Sequence, residues 1–288
     1  MRTPDLSRRA FLGAGLAAGG AAALAACGGT SSSGSSTTST RRGPLQALTV
    51  SSDLYVDARP QRFAFIFTRG EEFVDAGEAT ISIRPRDGAF GDVIPATLHT
   101  EGLPAGRGIF TAPLLLPRAG VWEARATLDG RSATSFFQVA EEPVAPILGD
   151  RAPDAPSPTS IATLGVDPIC TSEPACGLHA RSLSDVIGKG RPVAVMFATP
   201  ARCQTRYCGP VLDQLLAVAP EYAETIDFVH VEIYASTEGT QLVPTVGAWG
   251  LDSEPWLFTV GADGTVQERL DGAFATDEIR GLLDRVGA

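Results

Sequence analysis

Lysine is almost missing from this chain: Lys189 is the only one, and arginine supplies the other basic residues. That bias reflects GC-rich coding rather than function. Acidic residues outnumber basic ones 33 to 23, giving a net charge of −10. Phosphate contacts need clustered Lys and Arg, so nucleic acid is excluded as a partner. Histidine occurs only at positions 99, 179 and 230. Cysteine is absent between Cys27 and Cys170, so no disulfide framework holds the first half together. The one candidate membrane span, Ala10 to Ala26, is rich in Gly and Ala and falls short of the ~20 residues that cross a bilayer. What is present is 44% apolar material over 288 residues, with 13 Phe and 3 Trp. That is enough for packed cores, and the length suits two domains of ~100–200 residues each.

Ser7-Arg8-Arg9-Ala10-Phe11-Leu12 leads into the early apolar stretch, which ends in Leu24-Ala25-Ala26-Cys27. The first run resembles a twin-arginine export signal and the second a bacterial lipobox. The resemblance implies that residues 1–27 form a lipoprotein signal, cut before Cys27, whose thiol carries lipid. The expected address is the extracytoplasmic face of the bacterial cytoplasmic membrane, with the membrane as a partner through that lipid. Residues 28–44 follow as a tether; positions 28–40 are all Gly, Ser or Thr and offer no apolar surface to bury.

Residues 45–145 read as strands. Phe63, Phe65 and Phe67 alternate with Ala64 and Ile66, and Ile81 and Ile83 alternate with Ser82 and Arg84. Trp122, Ala124, Ala126 and Leu128 continue the pattern into Asp129-Gly130, a hairpin signal. These runs predict an all-β sandwich, and Gly120-Val121-Trp122 is similar to immunoglobulin-like domains of exported proteins. No chemistry stands out there; His99 reads as a solvated or hydrogen-bonded strand residue. A Pro-rich linker covers 146–159.

From residue 160 to 288 strands alternate with helices. Val193 to Phe197 is an unbroken apolar run of the kind buried on both faces of a sheet. Val211 to Tyr222 carries a helical stripe. Strands follow at Asp227 to Ile233, Trp256 to Val260 and Val266 to Leu270. The helix Thr276 to Val286 closes the chain, with Thr276 as its N-cap. Strand, cysteine pair, helix, strand, then Ser253-Glu254-Pro255-Trp256 and a hairpin at Asp263-Gly264 together resemble the thioredoxin-like fold, an α/β domain with a central mixed sheet. The lead-in around Ser182-Leu183-Ser184-Asp185 resembles that of the membrane-tethered TlpA-like subgroup and of peroxiredoxins. The resemblance implies that Pro255 is a cis-proline facing substrate and the redox cysteines.

Four cysteines remain once Cys27 is set aside, and four allow three pairings. Proximity in sequence favours Cys170–Cys176 as a structural disulfide and Cys203–Cys208 as the redox pair. Four residues separate Cys203 from Cys208, where thioredoxins have two, so Gln204 to Tyr207 must form a loop for the two to bond. Pro210 suits the first position of the helix that follows. A thiolate near a helix N-terminus is stabilised, with Arg202 or Arg206 adding positive field. The expected activity is thiol–disulfide exchange on exported thiol proteins or a redox partner, with Cys203 attacking and Cys208 resolving. Cys208-Gly209-Pro210 also repeats the start of the thioredoxin motif, an alignment that makes Cys208 the attacking thiol. Tyr207 and Trp256 would flank the site.

Two other readings stay open: a non-catalytic binding module whose disulfides only staple it, and a thiol peroxidase resembling bacterioferritin-comigratory-type peroxiredoxins. In the peroxidase family, Thr stands three residues before the reactive cysteine; here Thr199 stands four before Cys203. Copper delivery of the Sco type needs two thiolates and a histidine. His230, mid-strand near Glu232, reads instead as a solvated residue, and His179 is notable only for lying three residues after Cys176. The sequence therefore predicts no metal and no cofactor beyond a redox-active disulfide.

Overall fold

The computed structural model of the chain describes residues 43–202 and 208–286. Arg8, Arg9, Cys27, most of the tether, and Cys203 with Arg206 and Tyr207 lie outside the described residues. Of Cys208 only the backbone is described.

The first lobe is built from β1 (Leu45–Thr49), β2 (Gln61–Arg69), β3 (Glu72–Phe73), β4 (Ala79–Pro85), β5 (Ile94–His99), β6 (Ile109–Leu114), β7 (Gly120–Leu128) and β8 (Arg131–Val139). They pair antiparallel in the order β1-β2-β6-β5-β4-β7-β8, with β3 added to β2. Because β5 pairs with both β6 and β4, two separate facing sheets do not form. One continuous sheet curls instead until β1 approaches β8, where the Thr49 and Ser135 hydroxyls are 3.4 Å apart. The expected sandwich is thus a nearly closed barrel. Both architectures need the same in–out alternation, so the pattern could not tell them apart. Phe63, Phe65 and Phe67 point into the barrel and pack with Phe110 and Phe137, at ring separations of 4.9 to 5.9 Å. The β7–β8 hairpin turns at Asp129-Gly130 with φ of 48° and 77°, the left-handed pair that such a two-residue turn requires.

The second lobe runs α1 (Leu183–Val186), β9 (Val193–Phe197), a 3-10 turn at Pro200–Arg202, α2 (Cys208–Tyr222), β10 (Asp227–Val231), α3 (Pro244–Ala248), β11 (Trp256–Val260), β12 (Val266–Asp271) and α4 (Thr276–Val286). The sheet order is β10-β9-β11-β12: β10 is parallel to β9, and β11 is antiparallel to both β9 and β12. Every residue of β9 is buried. Ala194 and Met196 face α2 and α4, and Val193, Val195 and Phe197 face Trp249, Trp256 and Phe258. The order of the sheet strands and of helices α2 and α4 is the one the sequence predicted for this lobe. The helix α2 opens at Cys208, two residues before the expected Pro210. Thr276 lies inside α4 rather than capping it; its hydroxyl donates to Gln214, and Glu278 accepts the Ala275 N–H instead.

Both lobes belong to one compact unit, and charge is buried at their seam. Ala64 and Ile66 should face water by alternation, yet they are buried against Ala273 of the second lobe. Arg62 donates to Glu278 at 2.7 and 3.0 Å and to the Ala273 carbonyl at 2.7 Å. Burial opposes the Arg62 charge, but Glu278 outweighs it and holds the guanidinium above its ordinary pKa. Asp53 accepts from Arg269 at 2.8 Å. His99 bridges the same seam, with Nδ1 2.6 Å from Asp277 and Nε2 2.8 Å from Thr111. Removing one partner of a buried ion pair strands the other charge, which costs about 3–5 kcal/mol. Arg62→Ala should therefore lower the unfolding free energy by about that much in urea melts. A loss below about 1 kcal/mol would mean the pair behaves as a surface contact.

Candidate functional site

The end of β9 is where the chemistry-bearing residues gather. Thr199 is buried just beyond the strand; its N–H donates to Glu254 at 3.2 Å, and its hydroxyl accepts the Ile233 N–H at 2.9 Å. The turn Pro200–Arg202 then leads to Cys203, and α2 begins at Cys208. Pro255 follows Glu254 through a cis peptide at the start of β11. Arg202 is tied away toward the 234–239 loop. It donates to the carbonyls of Ser236 at 3.2 Å and of Gly239, and lies 4.6 Å over the Tyr234 ring. Trp256 is fully buried and stacks on Phe258, so it belongs to the core rather than to a substrate surface.

Two carboxyl groups are buried beneath this turn. Glu232 Oε1 accepts from the Thr171 N–H at 2.6 Å and from its hydroxyl at 2.9 Å. Glu254 has one oxygen on Thr199, while Oε1 has no hydrogen-bond partner among the described residues. Desolvation pushes Glu254 up to about 7. The Thr199 N–H and Arg202 oppose the rise and the nearby Glu232 charge adds to it.

A second cluster lies alongside. His230, on edge strand β10, is fully buried rather than solvated, and its Nε2 lies 2.9 Å from the Ala198 carbonyl. Its backbone N–H donates to the Leu178 carbonyl at 3.0 Å, laying the segment before α1 against β10. Gly177, at φ 76°, makes the turn that brings Cys176 and His179 to the same place. Cys176 Sγ is 3.4 Å from His179 Nε2 and 3.3 Å from His230 Nδ1, and the two imidazole nitrogens are 3.2 Å apart. The Cys176 N–H donates to Cys170 Sγ at 3.4 Å. Cys170 and Cys176 are both free thiols, so the expected staple is not formed. A hydrogen bond from Cys176 draws the Cys170 thiol well below its ordinary range, against desolvation, with His179 and His230 assisting. Cys176, donating that bond and half-buried, is pushed up.

Sequence reasoning assigned no metal ligand, yet these four donor atoms all lie within 4.8 Å of one another. The signal available was the Cys-x5-Cys-x2-His spacing of 170, 176 and 179; nothing local pointed to His230. Thr171 links the two regions, because its hydroxyl also accepts the Ala201 N–H at 3.2 Å.

The Glu254 shift has a definite sign in stability. Between the unfolded value near 4.5 and the folded value near 7, the folded chain holds a proton that the unfolded chain has lost. This group therefore makes stability fall as pH rises from about 4.5 through 7. Glu254→Gln, neutral throughout, should gain on wild type across that window, by roughly 3 kcal/mol at most. Paired urea melts at acid and neutral pH read the difference; parallel curves would refute it.

No family model and no curated protein matches the chain. Among solved structures it is similar to the crystal structure of a thiol:disulfide interchange protein, a thioredoxin family protein from Chlorobium tepidum TLS. The two share 15% identity, over 50% of this chain and 100% of that one, with a TM-score of 0.34. A likeness at that distance says nothing of activity.

Proposed function

We propose that the chain is a thiol–disulfide oxidoreductase-like protein whose exchanging pair is Cys203 and Cys208. The observation that carries this reading is the start of the 15-residue helix α2 at Cys208, separated by five residues from the Pro200–Arg202 turn that follows Thr199. Unpaired N–H groups and the dipole of a helix N-terminus favour a thiolate. That position favours Cys208 as the attacking group, the alternative alignment rather than the expected Cys203. The thiolate attacks one sulfur of a substrate disulfide, forming a mixed disulfide and expelling the other sulfur as thiolate. The partner thiol then attacks the mixed disulfide, closing Cys203–Cys208 and releasing the reduced substrate; the proton it gives up passes to a base or to solvent. Glu254, half-protonated near neutrality and bonded to the Thr199 N–H just before the Pro200–Arg202 turn, is a candidate acceptor. Running the steps backward oxidises a dithiol substrate.

The expected result is a mixed disulfide trapped on Cys208 in Cys203→Ser, and a redox midpoint between about −120 and −270 mV for the pair. A complex trapped only in Cys208→Ser would return the attacking role to Cys203. No trapped partner in either variant, with a midpoint below about −300 mV, would leave a binding module. Peroxide consumption without exchange would favour the peroxidase reading.

The export and lipid motifs support a place for this chemistry on the extracytoplasmic membrane face, with exported proteins as substrates. Among the described residues no helix is long and apolar enough to cross a membrane. Cys27→Ser should move the protein from the membrane fraction to the soluble one. Unchanged retention with an uncut N-terminus would refute the lipid anchor.

A further inference from the structure

We infer that Cys170, Cys176, His179 and His230 form a structural zinc site that shares no residue with the proposed exchange pair. In a regular tetrahedron each edge is about 1.63 times the centre-to-corner distance. With Zn–N of about 2.0–2.1 Å and Zn–S of about 2.3 Å, an S2N2 site should show N···N near 3.3 Å and N···S near 3.5 Å. The chain shows 3.2 Å between the two imidazole nitrogens, and 3.4 and 3.3 Å from Cys176 Sγ to each. Cys170 Sγ, the fourth donor, lies within 4.8 Å of the other three and reaches the same ion by closing about 1 Å toward tetrahedral edges of about 3.5–3.8 Å.

The surroundings are those of a metal site. The His230 Nε2–H donates to the Ala198 carbonyl, which fixes the ring and leaves Nδ1 as a lone pair aimed at the cluster. Both histidines are buried, away from competing water. Two thiolates and two imidazoles suit a borderline-soft ion in tetrahedral geometry, and four protein ligands leave no open position for catalysis. Binding displaces the proton held between the two sulfurs to solvent. The ion would fasten the segment carrying Cys170 to His179 onto β10, which is the edge of its sheet and would otherwise present unpaired backbone groups.

The test uses the full chain purified under reducing conditions without chelator. One zinc per chain is expected by elemental mass spectrometry, and cobalt replacement should give a tetrahedral visible spectrum with a sulfur charge-transfer band. Cys176→Ser and His179→Ala should each weaken zinc binding by at least about tenfold. His179→Cys, which restores a soft ligand, should keep the ion and strengthen the charge-transfer band, separating lost ligation from lost folding. The Cys203→Ser/Cys208→Ser chain should retain both zinc and the cobalt spectrum, so this result is independent of exchange activity. A reduced chain that takes up neither metal, a Cys170–Cys176 disulfide that persists under reduction, or loss of the spectrum in Cys203→Ser/Cys208→Ser would each overturn the assignment.

Discussion

Burial of β9 on both faces is the constraint on which the second lobe depends. A strand with no exposed residue must have its next backbone groups satisfied as soon as pairing stops, and the two residues after Phe197 show how. The Ala198 carbonyl lies within hydrogen-bond reach of a histidine ring, and Thr199 engages a carboxylate and a backbone N–H through its own amide and hydroxyl. Those bonds draw His230 and Glu254 from neighbouring strands to one point. The site is therefore a consequence of how a buried strand ends.

The seam between the lobes follows a different logic. Apolar contact there is modest, and Ala64, Ile66, Ile109 and Ala273 form its small core. Specific alignment comes from paired charges and a close backbone approach. Gly272, at φ 68°, sits where any Cβ would collide with the Val50 carbonyl, and Asp271 beside it accepts from the Ser52 hydroxyl at 2.8 Å. Such a seam tolerates little sliding: a shift of either lobe would unpair Arg62 and Arg269 in a poorly solvated place.

Features encoded by near neighbours were legible in the sequence. The Asp129-Gly130 turn, the apolar run of β9, the bounds of β11 and the extent of α4 follow from patterns within a few residues. What escaped were consequences of long-range packing. The alternation of β2 predicted one wet face, but the second lobe covers it at Ala64 and Ile66. Barrel and sandwich share a single in–out code, so the double pairing of β5 was invisible. His230 read as a solvated strand residue because its partner His179 lies 51 residues away. The short spacing of Cys170 and Cys176 suggested a staple because spacing carries no information about imidazoles arriving from elsewhere.

Two thiol pairs in one lobe pose a problem for a chain proposed to exchange disulfides. Sulfur exchanges with any disulfide it can reach, and a chain exchanging disulfides through Cys203 and Cys208 would oxidise or scramble Cys170 and Cys176 if they were free to approach. Thr171 stands between the regions, bound to Glu232 on one side and to the Ala201 amide on the other. It fixes the residue after Cys170 and so limits that sulfur's movement. Coordination would complete the separation, because a metal-bound thiolate has its lone pairs engaged and attacks disulfides poorly. On this reading the ion keeps Cys170 and Cys176 reduced in a chain proposed to exchange disulfides elsewhere. That accounts for histidines at the only other cysteines of this lobe, where the short spacing alone suggested a plain disulfide.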